Sequence, residues 1–105
     1  MFEKDLTLSA LFDLYAPLLS EKKREAFAAY FLEDLSLAEI AADTGTSRQA
    51  VRELLSRTSE ELKHYEEKLN LLQKKNALSG LLEKAETGKI GQNDFSAAVR
   101  ELFEL

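Results

Sequence analysis

The sequence predicts an all-α protein built on a helix-turn-helix without a wing, and three observations carry that prediction. Apolar residues recur at helical spacing through most of the chain, and no segment alternates as a strand does. The third is the stretch SLAEIAADTGTSRQAVRELLSR at residues 36–57, which reads as two capped helices joined by a short glycine turn. At 105 residues the chain fits one domain. Residues 1–70 hold the helix-turn-helix, and residues 71–105 form a C-terminal helical dimerisation and packing extension of the same domain.

Taken in order, the first helix is expected over residues 5–16, with Leu8, Leu11, Phe12, Tyr15 and Leu19 along one face. Pro17 lies too far along to start that helix, so it kinks or ends it. Ser20 is an N-cap residue with Glu21 in the following first turn. The helix it opens buries Ala26, Phe27, Tyr30 and Phe31 and ends near Asp34. Lys22, Lys23 and Arg24 at its start read as a solvated face or, more sharply, as a phosphate contact.

Ser36 and Glu39 form a capping box, in which each side chain satisfies the other residue's amide. The helix they open turns Leu37, Ile40 and Ala41 to one side and stops at Thr44-Gly45, where glycine accepts the left-handed backbone of a tight turn. Ser47 caps the next helix, whose apolar positions are Ala50, Val51, Leu54 and Leu55. The outward positions early in this second helix are Ser47, Arg48, Gln49, Arg52, Glu53 and Ser56, the region that such motifs present to the major groove. Arginine and glutamine suit guanine and adenine edges, Glu53 could accept from a cytosine amine, and Arg57 suits a phosphate.

The helix continues past the motif. Val51, Leu55, Thr58, Leu62, Tyr65, Leu69 and Leu72 follow steps of four and three, a heptad seam on a helix roughly 34 Å long. A homodimer is the expected cover for it, with Val51, Leu55, Leu62, Tyr65, Leu69 and Leu72 as the candidate dimer seam. The run Glu60, Glu61, Glu66, Glu67 reads as a solvated face. Asn70 marks a break before a further helix that reaches Glu86, with Ser79-Gly80 as a weak point and Thr87-Gly88 as its stop. Asn93 is expected to cap a last amphipathic helix carrying Phe95, Ala98, Val99, Leu102 and Phe103.

Composition narrows the function. There is no cysteine, which removes disulfides and thiolate metal sites, and no apolar run of membrane-spanning length, so no membrane insertion is expected. The N-terminus has no secretory leader pattern, and a cytoplasmic location is expected. Residues 83–94 place Gly88 and Ile90 as a calcium loop would, but Glu83, Ala85 and Thr87 stand at its first ligand positions. His64 is the single histidine. No metal, no cofactor and no catalytic residues are expected, and the chain is read as no enzyme. The net charge of −5 opposes general nucleic-acid binding. The sign is uneven, however: four Lys/Arg face nine Asp/Glu before residue 47, whereas seven face five over residues 47–75.

The run LFDLYAPLLSEKKREAFAAYFLEDLSLAEIAADTGTSRQAV, followed by SRTSEELKHYEEKLNLL, resembles the YlxM family. These are small bacterial proteins similar to region 4 of sigma factors. The resemblance covers roughly residues 8–75, and its most specific blocks are LSLAEIA, SRQAV and YEEKL. It implies a sigma-region-4-like fold and DNA binding through Ser47, Arg48, Gln49 and Arg52, and it implies an association with the signal recognition particle (SRP) pathway. Two functions are therefore expected. One is a regulatory protein acting through DNA or the SRP RNA, with candidate contacts Ser47, Arg48, Gln49, Arg52, Ser56 and Arg57. The other is a protein-binding adaptor that modulates the SRP GTPases or ribosome contact, or one that binds the SRP RNA rather than DNA.

Overall fold

A computed structural model describes residues 6–105, which are helical with short connections and contain no strand. They fall into two compact units, one ending at Leu69 and one running from Asn70 to Leu105.

The first unit holds α1 (Leu6–Tyr15), a 3-10 turn (Ala16–Leu18), α2 (Glu21–Phe31), α3 (Leu37–Thr44) and α4 (Arg48–Leu69). Leu8, Leu11, Phe12, Tyr15 and Leu19 are buried as their spacing requires; Asp5, the expected first residue of α1, lies outside the described residues. The helix ends where Pro17 enters the first positions of the 3-10 turn, since proline has no N–H to continue the ladder. The Ser20 side chain accepts from the Lys23 amide and starts α2. That helix stops at Phe31, short of the expected Asp34, which instead has left-handed backbone in the connection to α3. Phe12 stacks on Phe27 with ring centroids 4.7 Å apart, and Phe27 stacks on Phe31 at 4.2 Å. This aromatic row joins α1 to α2 over α4.

Along α4, Val51, Leu55, Thr58 and Leu62 are buried, Leu55 and Leu62 completely. They are covered by α1, α2 and α3 of the same chain, all of which pack on α4. This corrects the dimer seam for Val51, Leu55 and Leu62. Three helices of 8 to 11 residues cannot bury their own apolar faces without a shared counter-face, and α4 supplies it. Tyr65 is half-buried against Tyr15, at 5.8 Å between ring centroids, so it also belongs to the intrachain core. Of the seam, Leu69 alone is exposed, at 45%. Ala50, expected to face inward, is exposed as well.

The acidic run on α4 is divided rather than uniformly solvated. Glu60 and Glu67 are exposed, but Glu61 and Glu66 are half-buried and bonded. Lys23 Nζ lies 2.6 Å from Glu61 Oε1, and Tyr65 donates to Glu61 Oε2 at 2.7 Å. Tyr15 donates to Glu66 Oε1 at 2.7 Å. The Lys23 ammonium first, and the Tyr65 hydroxyl after it, hold the Glu61 carboxyl below the usual carboxylate range despite its partial burial. The same carboxylate pushes the Tyr65 phenol up. A depressed folded-state pKa gives stability that is present above the unfolded pKa and lost as pH falls through the folded value. Glu61→Gln is expected to cost about 1 kcal/mol at pH 7, the upper end for a solvent-screened pair. Thermal unfolding of the two proteins should converge as the pH drops below about 4.

The second unit is a hairpin of α5 (Leu71–Glu86) and α6 (Gln92–Phe103). Asn70 opens it with φ 55°, a left-handed backbone that asparagine tolerates better than most residues. The helix α5 runs through Ser79-Gly80 without interruption. Thr87 closes it by donating to the Glu83 carbonyl at 2.9 Å, and Gly88 turns the chain at φ 73°. Gly91, not Asn93, is the N-cap of α6, and no side chain bonds the freed amides there. Phe95, Ala98, Val99 and Leu102 are half-buried, facing α5, yet no residue of either helix is fully buried. Leu72, the last residue of the expected seam, is half-buried within this hairpin.

Candidate nucleic-acid interface

The helix-turn-helix comprises α3, the turn and the first half of α4. The Ser36 amide donates to Glu39 Oε1 at 3.1 Å and the Glu39 amide to Ser36 Oγ at 3.0 Å, so the capping box is complete. Gly45 takes φ 69°, and the amides of Gly45 and Thr46 both return to the Ala41 carbonyl. Ser47 Oγ then accepts from the Ala50 amide at 3.0 Å and starts α4. Ile40 and Ala41 are buried beside Val51, which fixes how the two helices cross.

All six predicted contact residues, Ser47, Arg48, Gln49, Arg52, Ser56 and Arg57, are exposed on α4. Three of them share a hollow: Arg48, Gln49 and Arg52 line it together with Leu37 from α3. Arg57 stands on the other flank, where it lines a second hollow with Lys22 and Glu25 of α2. Ala26, Ala29, Ala50 and Leu54 also line that hollow, and so does Glu53 of α4. The basic cluster at the start of α2 is therefore split three ways. Lys23 is paired with Glu61, and Arg24 Nη1 approaches the carbonyls of Ala16 and Leu19, each at 3.4 Å. Of the three, Lys22 alone lines the hollow with Arg57. Sequence spacing marked the cluster but not its division, because the division depends on how α2 lies against α4.

Among the described residues, the side chains of Arg48, Arg52, Arg57 and Lys22 make no hydrogen bond or ion pair. A cation held on a rigid helix without an internal partner keeps its full capacity for an external anion. Gln49 Nε2 donates to Glu53 Oε1 at 3.4 Å, a weak contact one turn apart. Among the described residues no group of three or more His, Cys, Asp or Glu is placed to hold a metal ion, and no helix is long and apolar enough to cross a membrane.

A capped helix, a left-handed glycine turn and a second capped helix with unpartnered arginines on its outer face define a helix-turn-helix protein of the all-α kind. Comparison with known proteins makes the assignment specific. Residues 2–102 match the family model described as UPF0122, "Putative helix-turn-helix protein, YlxM / p13 like", and the chain belongs to that family. It is 41% identical over 102 residues to a UPF0122 protein of Mycoplasma capricolum, covering 97% of this chain and 90% of that one. A UPF0122 protein of Symbiobacterium thermophilum is 43% identical over 98 residues, 93% of this chain and 91% of the relative. A UPF0122 protein of Clostridium kluyveri is 51% identical over 73 residues, covering 70% of this chain and 66% of the relative.

Proposed function

We propose that this protein is a DNA-binding regulator that works by binding and not by catalysis, acting in the cytoplasm as a homodimer. In this reading it acts in the SRP pathway, as the resemblance of residues 8–75 implies. The observation that supports this reading best is the set of unpaired arginines. In a chain of net charge −5, where Lys23 and Arg24 are engaged internally, Arg48, Arg52 and Arg57 stand exposed and unpartnered on one half-helix. Local positive charge on the motif's second helix is what phosphate contact requires, whatever the net charge elsewhere. The homodimer is assigned to the α5–α6 hairpin, whose apolar residues the chain itself leaves half-covered.

The test is binding of labelled duplex DNA and, in parallel, of SRP RNA between about 50 and 200 mM salt. Affinity should fall steeply with salt. Arg57→Ala should flatten the log–log slope by about 0.9, the loss of one phosphate contact. Absence of binding to both nucleic acids at low salt would overturn the reading. One observation favours the alternative, an adaptor that modulates the SRP GTPases. The first helix of such a motif normally crosses the DNA backbone, yet α3 carries Glu39 and Asp43 and no Lys or Arg. That adaptor would bind the GTPases with no nucleic acid present and would be indifferent to Arg57→Ala.

A further inference from the structure

We infer that Glu53, together with Gln49, reads base edges in the major groove of B-form DNA, selecting a cytosine and an adenine one to two steps apart; the inference rests on the DNA-binding reading above. The inward line of α4 is marked by Val51, Leu55, Thr58 and Leu62. At about 100° per residue, the opposite line runs through Gln49, Glu53, Ser56 and Glu60. All four are exposed. The cations stand to either side of this crest: Arg48 and Arg52 on the flank bordering Leu37, Arg57 with Lys22 of α2 on the other. A helix lying in a major groove meets phosphates along its flanks and base edges along its crest. Glu53 stands on this line beside Gln49 and also lines the hollow that holds Arg57, so its carboxylate lies between the crest and that flank and meets base edges along the crest. The groove must also be wide enough to admit a helix, which B-form DNA provides and an A-form RNA duplex does not.

The chemistry of the crest sets the choice of bases. Gln49 spends one amide hydrogen on Glu53 Oε1. Its other amide hydrogen and its Oε1 remain for the N7 and N6 of adenine. Glu53 keeps Oε2 as an acceptor, and the cytosine N4 amine is the major-groove donor that suits a carboxylate. Four residues of helix advance about 6 Å, the span of one to two base steps. A carboxylate here repels the phosphates of every sequence and is compensated only where an amine meets it. Glu53 thus lowers affinity in general and confers selectivity.

The experiment is selection from a duplex DNA pool with randomised positions, run in parallel with the wild type, E53A and R57A, both substitutions on the exposed face. The wild type should enrich a C·G pair and an A·T pair one to two steps apart. E53A should lose the preference at the C·G pair and retain the A·T pair. It should also bind unselected duplex DNA several-fold more tightly. R57A should bind all sequences more weakly with the wild-type preference unchanged. The inference is overturned if E53A keeps the C·G preference, or if the wild type binds DNA without enriching a C·G pair. If neither wild type nor E53A binds duplex DNA at about 50 mM salt, the DNA-binding reading fails as a whole.

Discussion

Leu62→Ala is expected to destabilise the first unit by about 3 kcal/mol and to lower its melting temperature by roughly 15 °C, while leaving the mass of the native protein in solution unchanged. The side chain is completely buried where α4 receives the helices on either side of the proline turn. Truncation removes three carbons from a side chain with no solvent exposure and leaves a cavity in a core that also buries Tyr15, Phe27 and Tyr30 completely. For a unit of fewer than 70 residues, about 3 kcal/mol is a large share of the total stability. Calorimetry measures the destabilisation, and sedimentation of the folded protein at room temperature measures the mass. A change of mass without a change of melting temperature would return Leu62 to a dimer interface.

That contrast marks what the sequence could and could not disclose. Every local device of the motif was legible: the Ser36–Glu39 box, the Gly45 turn and the Ser47 cap each act within a few residues, and each is present. The same holds for Pro17 and Asn70, whose backbone preferences are intrinsic. The heptad seam was legible as a period but not as a destination. Steps of four and three describe a face to be covered, and they are identical whether α1–α3 or a second chain covers it. Glu61 shows the same limit. Its place in an acidic run suggested a solvated face, and only the packing of α2 against α4 brings Lys23 to it across 38 residues of sequence. The exposure of the candidate contact residues was readable because exposure on the far side of an amphipathic helix follows from its buried side. Lys22 was readable as part of a basic cluster, but its sharing a hollow with Arg57 was not, because Arg57 lies on another helix.

The same reasoning moves the expected dimer contact to the hairpin, where Leu102→Lys should convert a dimer into a monomer, weakening self-association by roughly 100-fold or more. The hairpin comprises 36 residues, below the size at which a chain segment can usually enclose a core of its own. Neither of its helices buries a single residue completely. Leu71 and Leu82 are each 43% exposed, and Phe103 is 38% exposed with the Lys74 ammonium 6.0 Å from its ring centroid. Leu81 and Leu102 line a shallow groove between the helices, and Ala77 and Ala98 keep its walls low. A second hairpin laid in that groove would complete a four-helix arrangement, with the alanines allowing the helices to approach closely. A lysine at residue 102 would place an ammonium beside Ala77, Leu81 and Ala98, in a groove that Lys74 and Glu101 also line. Sedimentation equilibrium over a micromolar range should give twice the chain mass for the wild type and the single mass for Leu102→Lys. In that arrangement the hairpin would take its cover from the second chain, so the variant should also lose helical signal equivalent to α5 and α6 while the first unit melts as before. An Ala77→Glu variant, which leaves the Leu102 contacts intact, should weaken the dimer in the same direction. A wild type that sediments as a single chain, or a Leu102→Lys protein that sediments as two, would remove the hairpin as the dimer contact.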